Sequence, residues 1–247
     1  MTHLDTVIGK VLRLPLRFIQ QGSVLPVMSG PLRGSRWVVG ASVHGCWIGW
    51  YEKEKAWAFS EAVTEDAVVW DIGANVGYYT LIAARKVATS RVLAIEPLRS
   101  NVAFLRRHLE LNRLTHVRVL EAAVSDHDGE EMFEEAQHNS QGRLGAVGSL
   151  RVQVFSFDGL LRQAGLPGPT LIKMDIEGGE YDALRGGISV LREYRPTIFL
   201  ATHGLEIHRK CCELLRELQY DLSSMGNVPL EQSDELVGLP RGRRDAR

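Results

Sequence analysis

Short apolar runs alternate with amphipathic stretches from residue 67 to residue 124 of this chain. The runs at residues 67–74, 91–97 and 116–124 predict buried strands, because each is short, apolar and bounded by polar or glycine residues. Residues 76–87 and 101–112 space their apolar positions as amphipathic helices do. This unbroken order of strand, helix, strand, helix, strand predicts an α/β fold built on a parallel sheet with right-handed crossovers.

The alternation loosens after residue 126 and then resumes. Residues 127–150 are polar and rich in Gly, His, Asn and Ser, which predicts a long surface loop that could carry function beside a rigid sheet. The later predicted elements are strands at residues 151–157, 169–176, 197–203 and 220–224 and helices at residues 178–194 and 205–218. The sheet is therefore expected to span residues 68–224, with residues 1–66 as an N-terminal extension or lid and residues 67–247 as the main domain.

The composition is that of a soluble globular protein. The chain has 247 residues, 45% hydrophobic and 24% charged, which excludes the disordered, fibrous and membrane-spanning classes. A net charge of −1 gives no field that would favour binding of nucleic acid. Three cysteines, an odd number, predict no disulfide framework, and neither a signal peptide nor a spanning apolar run is expected. We therefore expect a cytoplasmic protein.

The first residues include an apolar and basic segment. Residues 7–20 contain Lys10, Arg13 and Arg17, and Pro15 interrupts any helix there. We expect this segment to pack on the domain or to help a homo-oligomer form, with contact to a membrane surface as the alternative. The basic tail at the C-terminus is expected to be solvated.

The first predicted strand ends in the motif DIGANVG, residues 71–77, which suits a nucleotide-like cofactor. Gly73 and Gly77 allow a sharp turn from strand to helix and a close approach of a ligand to backbone N–H groups. A dinucleotide-binding loop has three glycines in the order G-x-G-x-x-G, whereas Asn75 stands at the middle position here and Asp71 would repel a pyrophosphate. S-adenosylmethionine, which has a cationic ammonium and a sulfonium, fits this motif better than NAD does.

Further acids follow two other predicted strands. Glu96 ends the second strand, where a carboxylate can accept hydrogen bonds from both hydroxyls of a ribose. Asp175 ends the strand at residues 169–176 and is expected at the same edge of the sheet, and Glu177 begins the helix that follows. The alternative is that these carboxylates cap helices or complement helix dipoles.

Four blocks of the sequence stand in an order typical of one enzyme family. They are VVWDIGANVGYYTL, IEPLRSNVAFLRRHLELN, AAVSDHDG and LIKMDIEGGEYDALRG, and the flanking stretches GWYEKEKAWAF and RPTIFLATH extend the pattern over residues 49–203. Together they resemble the FkbM family of S-adenosylmethionine-dependent methyltransferases. The resemblance implies the class I methyltransferase fold, a Rossmann-like three-layer sandwich with a mostly parallel seven-stranded sheet whose last strand is reversed.

The resemblance also implies a cofactor site when the family pattern is carried over residue by residue. The methionine end of the cofactor would lie near the glycine turn, Glu96 would bind the ribose, and the backbone after the third strand would face the adenine. The residues expected to bind the cofactor are Asp71, Gly73, Ala74, Asn75, Gly77, Glu96, Pro97, Ala123, Val124 and Asp126. One position departs from the family, since many members have a glutamate where this chain has Ala201, and no role of that glutamate is transferred.

Methylation of a hydroxyl needs help with the proton, because an alcohol is a poor nucleophile at neutral pH. His203, at the end of the predicted strand at residues 197–203, is the first candidate for a general base. Asp175 and Glu177 are expected either to orient this histidine or to join it as ligands of a divalent metal ion. A purely structural histidine is the remaining alternative.

Other histidines and a cysteine are weaker candidates. His44 lies in the Gly- and Trp-rich stretch VHGCWIGW, where packing at the edge of the core is favoured over substrate contact. His138 lies in the polar loop and is expected to be solvated. Cys46 has no identifiable base and is expected to be buried. His208 is a poor metal partner for His203, because a spacing of five residues places the two on different helical faces.

The leading hypothesis is an S-adenosylmethionine-dependent O-methyltransferase that acts on a hydroxyl of a small natural product, sugar or glycoconjugate, an acceptor class supplied by the resemblance. N-methylation is one alternative, since a neutral amine already has a free lone pair, and a subunit that binds the cofactor without catalysis is another. An NAD-dependent oxidoreductase is disfavoured by Asn75. The expected partner is a small-molecule or glycan acceptor, without nucleic acid, and a homo-oligomer is left open.

Overall fold

The computed structural model describes residues 19–87, 90–135, 142–144, 148, 150–165, 167–226 and 228–242. In chain order, its strands are β1 (Val24–Pro26), β2 (Arg36–Val38), β3 (Val69–Ile72), β4 (Val92–Ile95), β5 (Val117–Leu120), β6 (Ala123–Val124), β7 (Gly129–Glu135), β8 (Gly142–Leu144), β9 (Leu150–Phe155), β10 (Leu171–Met174), β11 (Thr197–Ala201), β12 (Tyr220–Ser224) and β13 (Glu235–Pro240). Its helices are α1 (His44–Ile48), α2 (Lys53–Ala62), α3 (Tyr78–Ala84), α4 (Arg99–Leu111), α5 (Phe157–Ala164), α6 (Glu180–Arg185), α7 (Ile188–Tyr194) and α8 (Leu205–Glu217), with a 3-10 turn at Leu230–Gln232.

Seven strands form the main sheet, in the order β12, β13, β11, β10, β3, β4, β5. Strands β11, β10, β3, β4 and β5 pair in parallel, whereas β13 is antiparallel to both β11 and β12. The predicted α/β class and the mostly parallel seven-stranded sheet with a reversed last strand are confirmed. The parallel pairing brings the carboxyl ends of β3, β4, β10 and β11 to one edge of the sheet.

Helices cover both faces of this sheet, which completes the predicted three layers. Successive strand residues point to opposite faces, so the strands are apolar on both sides. Val69 packs on one face with residues of α2, α3 and α4. Its neighbour Trp70 packs on the other face with residues of α5, α6, α7 and α8.

A second, four-stranded sheet, in the order β6, β9, β7, β8, stands beside the main one. Two corrections follow from it. The single strand predicted at residues 116–124 is divided, because β5 belongs to the main sheet and β6 to the smaller one. The long loop predicted at residues 127–150 contains β7 and β8, whose Phe133 packs with Val152 and Val154 in a small core of its own.

The C-terminal half also departs from the sequence prediction at three places. The helix predicted at residues 178–194 is broken into α6 and α7 at Gly186, where a Cβ atom would lie 2.4 Å from the Cα atom of Asp126. Helix α5 was not predicted, although Ser156 caps it by accepting a hydrogen bond from the N–H of Gly159. Strand β13 carries the main sheet beyond the predicted end at residue 224.

The described part of the N-terminal region packs on the face that holds α3 and α4. Trp37 of β2 stacks on His108 of α4 with ring centroids 4.0 Å apart, and Phe59 of α2 contacts the ring of Phe199 in β11 edge to face. Residues 1–18, His138 and the tail at residues 243–247 lie outside the described residues, so the expectations for them stay predictions. Among the described residues, no helix is long and apolar enough to cross a membrane.

Candidate active site

A cavity of about 1140 Å³ opens at the edge where the parallel strands end. Its walls come from the residues that follow β3, β4, β10 and β11, from the second sheet, and from the N-terminal region at Tyr51 and Glu52. A volume of this size is sufficient for a nucleoside-containing cofactor together with an acceptor. The cavity brings together all three predicted catalytic residues and eight of the predicted cofactor-binding residues, which are Gly73, Ala74, Asn75, Glu96, Pro97, Ala123, Val124 and Asp126.

The turn after β3 has the geometry that its glycines predicted. Gly73 has a φ of 75° and Asn75 a φ of 50°, so both lie in the left-handed region. The N–H groups of Gly73 and Ala74 donate to the carbonyl oxygen of Ile95, at 3.0 and 2.9 Å, which ties the turn to the end of β4. A Cβ atom on residue 73 would lie 1.9 Å from the carbonyl oxygen of Asp175, so only glycine fits at this crossing of two strand ends.

Glu96 is the acid that directly joins this turn to the next strand. Its Oε2 atom accepts a hydrogen bond from the N–H of Asn75 at 2.9 Å. Its Oε1 atom accepts from the N–H of Leu98 and from Nδ2 of Asn101, both at 3.1 Å. Glu96 is only 5% exposed but lines the cavity, and Oε2 has one N–H partner where Oε1 has two, so Oε2 retains an acceptor site.

Asp71 and Gly77 do not line the cavity. Asp71 is fully buried, and its Oδ2 atom accepts a hydrogen bond from Oγ1 of Thr80 at 2.5 Å. Its Oδ1 atom lies 3.8 Å from Nζ of Lys173, the residue directly opposite it in β10. The side chain of Leu105 occupies the space that a Cβ atom on residue 77 would need. Gly77 therefore permits packing of α4 rather than contact with a ligand.

Lys173 is a buried cation that the sequence analysis did not single out. Its Nζ atom donates to the carbonyl oxygen of Gly73 at 3.1 Å and lies 3.7 Å from Oδ2 of Asp175. Burial acts to lower the pKa of this lysine, but the carboxylates of Asp175 and Asp71 hold it above its usual value. The lysine thus links the glycine turn to the carboxylate at the end of β10.

His203 lies among three carboxylates. Its Nδ1 atom is 2.8 Å from Oε1 of Glu180, and its Nε2 atom is 3.4 Å from Oε2 of Glu177 and 3.7 Å from Oδ1 of Asp175. The hydrogen bond with Glu180 is the main reason that the pKa of His203 is raised to about 9, although burial opposes the rise. Glu180 itself is wholly buried, and its Oε1 atom also accepts from the N–H of Gly178 at 3.0 Å.

The donor atoms of Asp175, Glu177 and His203 lie within 4.8 Å of one another, which is close enough for one metal ion. Their sequence positions explain the convergence. Asp175 and Glu177 follow β10, and His203 follows β11, the parallel neighbour of β10. The three residues therefore lie next to one another at the same edge of the sheet, as expected from the sequence.

A second group of charged residues in the cavity wall joins the N-terminal region to β13. Oε2 of Glu52 accepts a hydrogen bond from the hydroxyl of Tyr79 at 2.6 Å. Lys55, which is buried, lies 3.3 Å from the same oxygen and donates to Oε1 of Glu235 at 2.6 Å. Glu235 stands directly across from Ala201 in the pairing of β13 with β11, so a carboxylate enters the cavity beside the position at which this chain has alanine.

The remaining candidates take structural positions. Nδ1 of His44 accepts a hydrogen bond from Nε1 of Trp47 at 3.1 Å, and the histidine does not line the cavity. Cys46 is buried in the cavity wall, and burial raises the pKa of its thiol to about 12. His208 is buried and lies 2.9 Å from Oγ1 of Thr202, away from the carboxylates around His203.

Two signals in the sequence could have identified the missed residues. Lys173 interrupts the apolar run LIKM, and a charged residue inside a buried strand requires a buried partner. Glu52 belongs to the GWYEKEKAWAF stretch, which was noted only as part of the resemblance. Glu235 had no such signal, because its strand was not predicted.

The comparisons with known proteins agree with one another. The model of the methyltransferase FkbM domain matches residues 71–222. The hexuronic acid methyltransferase AglP of Haloferax volcanii is 29% identical over 134 residues, covering 53% of this chain and 54% of that protein. Methyltransferase sdnD of Sordaria araneosa is 26% identical over 151 residues, covering 47% of this chain and 58% of that protein. The chain thus spans little more than half the length of these two relatives.

Among solved structures, methyltransferase FkbM from Methylobacillus flagellatus is similar to this chain. It superposes with a TM-score of 0.48 at 20% identity, covering 71% of this chain and 44% of that one.

Proposed function

The chain belongs to the FkbM methyltransferase family, and from that premise we propose that it transfers a methyl group from S-adenosylmethionine to a hydroxyl of a sugar, glycoconjugate or small natural product. The observation that carries this proposal is the convergence of two different sets of groups in one cavity. The glycine turn and Glu96 form one half, and His203 with its carboxylates forms the other.

The first half suits S-adenosylmethionine. We assign the methionine end to the turn at residues 73–75, where the left-handed backbone leaves room close to the peptide groups. Glu96 would accept a hydrogen bond from a ribose hydroxyl at Oε2, the oxygen that has only one N–H partner. Ala123 and Val124 would contact the adenine as small apolar residues of the wall.

Asp71 and Gly77 enter this proposal as supports of the turn rather than as ligands. Asp71 holds Thr80 and faces Lys173, whose ammonium donates to the carbonyl oxygen of Gly73. We therefore propose that the carboxylate of Asp71 acts on the turn from behind the cavity wall rather than through contact with the cofactor. Asp126 lines the cavity near the proposed adenine contact and forms an ion pair with Arg185.

The second half suits an acceptor hydroxyl. S-adenosylmethionine supplies a methyl group that is already activated by its sulfonium, so the methyl carbon bonds to the acceptor oxygen as the C–S bond breaks and its electron pair remains on sulfur. The chain must align the acceptor and provide for the hydroxyl proton. In its neutral form His203 could receive the proton at Nε2, or with Asp175 and Glu177 it could bind a cation that makes the hydroxyl more acidic. The two roles exclude each other at that nitrogen atom.

The carboxylates that line the cavity and the name of one relative support a sugar as the acceptor. Glu52 and Glu235 line the cavity together with Asp175 and Glu177, and carboxylates accept hydrogen bonds from hydroxyl groups. The relative AglP is named as a methyltransferase of hexuronic acid. The same excess of carboxylates would also attract a cationic amine, which makes N-methylation the second candidate.

We further propose that residues 1–66 form an extension that covers the acceptor site, while residues 67–247 form the cofactor-binding domain. Tyr51 and Glu52 line the cavity, and Glu52 accepts the hydrogen bond from Tyr79. These contacts support a role for the extension in enclosing the acceptor.

The proposal is tested by methyl transfer from isotopically labelled S-adenosylmethionine to a panel of uronic acids, neutral sugars, phenols and amines. We expect an O-methylated sugar and a loss of at least about 100-fold in rate for His203→Ala, as expected for removal of acid–base or cation assistance. His116→Ala is the matched control, because His116 does not line the cavity and its Nε2 atom lies 3.0 Å from the backbone carbonyl oxygen of Ala84 in α3. An N-methylated product that persists in His203→Ala would favour the second candidate. Binding of S-adenosylhomocysteine without transfer to any acceptor would indicate a subunit without catalysis.

A further inference from the structure

We propose that Asp175, Glu177 and His203 form a divalent-cation site, and that the bound cation holds the acceptor hydroxyl during transfer. This inference rests on the proposed function, because it concerns the same cavity. The inference goes beyond the proposed function by choosing between the two roles of His203. The histidine is a ligand of the cation, and the acceptor proton passes to water.

The kind and position of the donor atoms support a cation site. Two carboxylate oxygens and one imidazole nitrogen, from three different positions of the chain, lie within 4.8 Å of one another. All three residues are partly exposed to the cavity, so an ion can reach them. Three protein ligands leave further coordination positions of a divalent ion for water and for an acceptor oxygen.

Glu180 is not one of the three ligands, but it orients one of them. Its side chain is 0% exposed, and its Oε1 atom reaches Nδ1 of His203 at 2.8 Å. Its Oε2 atom has no hydrogen-bond partner among the residues that the structure describes. A buried carboxylate behind a histidine fixes the imidazole tautomer and directs the other ring nitrogen to a metal ion.

The consequence is seen at Nε2 of His203. With Nδ1 as the hydrogen donor to Glu180, Nε2 faces oxygens of Glu177 and Asp175, at 3.4 and 3.7 Å. The two carboxylates favour a positive charge at that nitrogen, which a proton on Nε2 supplies when no metal ion is bound. A divalent cation would take the place of that proton and leave the imidazole neutral as a ligand.

The positive charges nearby do not fill this position. Lys173 lies 3.7 Å from Oδ2 of Asp175, whereas Oδ1 of the same carboxylate faces His203. Lys55 is engaged by Glu52 at 3.3 Å and by Glu235 at 2.6 Å. The lysine behind Asp175 reduces the affinity for a second cation without occupying the site, so we expect binding in the micromolar to millimolar range rather than tighter.

The donor set selects the class of ion. Carboxylate oxygens suit Mg²⁺ and Mn²⁺, and imidazole is well accepted by Mn²⁺. In the proposed step, the acceptor hydroxyl bound to the cation loses its proton to water, and its oxygen retains the electron pair that forms the new bond to the methyl carbon. The C–S bond breaks with its pair on sulfur, so no redox partner is required.

The test is a titration with Mn²⁺ alone, in which electron paramagnetic resonance measures the free aqueous ion. We expect one Mn²⁺ per chain in the wild type, and an affinity reduced by about 10- to 100-fold in Glu177→Gln and in Glu180→Gln, the range for loss of a ligand or of the group that orients it. Glu131→Gln is the matched control, because Glu131 and Asp126 flank the exposed His127 in a similar acid and histidine group that lacks the three convergent donors. Its Mn²⁺ affinity should stay within about twofold of the wild type.

Binding of S-adenosylhomocysteine is measured on the same samples, so that a variant which does not fold is recognised and replaced by His203→Asn. No Mn²⁺ binding by the wild type up to millimolar concentration would overturn the inference, as would equal affinities in Glu177→Gln and the wild type. If methyl transfer then persists in the presence of a chelator, the proposed function stands without the cation. If S-adenosylhomocysteine does not bind at all, the proposed function itself fails.

Discussion

Replacing Glu96 with glutamine tests the assignment of the cofactor half of the cavity. The substitution keeps the shape of the side chain and removes its charge. Both carboxylate oxygens accept from backbone N–H groups, of Asn75 and Leu98, so the new amide NH₂ must face one of these donors. One donor is then left without its partner, and the free energy of unfolding should fall by about 1–3 kcal/mol.

The same substitution should also weaken binding of the cofactor. If Glu96 binds the ribose, the variant loses charge-assisted hydrogen bonds, of which one contributes roughly 1.5–3 kcal/mol. The Kd for S-adenosylhomocysteine should therefore rise by roughly 10- to 150-fold, as measured by calorimetry.

Glu121→Gln provides the control for this experiment. Glu121 follows the adjacent strand β5 and pairs with the exposed Arg99, outside the cavity. Its Kd should remain at the wild-type value. A Kd in Glu96→Gln within twofold of the wild type, in a variant that unfolds cooperatively, would refute the placement of the ribose.

Three further predictions concern the turn and the core. Lys173→Met leaves the carboxylates of Asp71 and Asp175 without their buried cation, and urea unfolding should show a loss of about 3 kcal/mol or more; a loss below about 1 kcal/mol would contradict the assigned linkage. Gly73→Ala places a Cβ atom against the carbonyl oxygen of Asp175 at a φ of 75°, so the affinity for S-adenosylhomocysteine should fall at least about tenfold, and an unchanged calorimetric Kd would show that the turn is not in contact with the ligand. His108 has its pKa lowered by burial to about 4, so its contribution to stability is present above pH 6.5 and is lost as the pH falls toward 4. Between pH 7.5 and 5 the wild type should lose about 2 kcal/mol more stability than His108→Gln, and equal losses in urea titrations would contradict this explanation.

The sequence was sufficient to predict the parallel half of the fold and the edge at which the site lies. Buried strands with apolar residues on both faces produce a strong pattern, and parallel pairing dictates that residues after the strands meet at one edge. His203, Asp175 and Glu177 could be predicted to converge for that reason. A reversed last strand was implied by the family resemblance, whereas the order of the strands was not predicted, because local patterns do not determine pairing.

Elements held by tertiary contacts could not be predicted from local pattern. β13 contains Gly238 and ends at Pro240, which lower its intrinsic strand preference, yet it is held by pairing with strands on both sides. β7 is rich in glutamate, and Phe133 anchors it in the smaller core.

Prediction of the site from the sequence met the same difficulty. Lys173 and Glu180 form charged contacts with groups far away in sequence, and a single sequence gives no measure of those distances. Asp71 was correctly placed near the turn, but its burial behind Lys173 depends on the register of β3 with β10.

A calorimetric titration of the wild-type chain with S-adenosylhomocysteine, compared with NAD under the same conditions, tests the central claim most directly. The claim is that the turn at residues 73–75 and Glu96 form a site for a nucleoside with a cationic amino-acid end rather than for a dinucleotide. We predict one saturable site per chain for S-adenosylhomocysteine and no measurable heat of binding for NAD. Saturable binding of NAD without binding of S-adenosylhomocysteine would contradict the account.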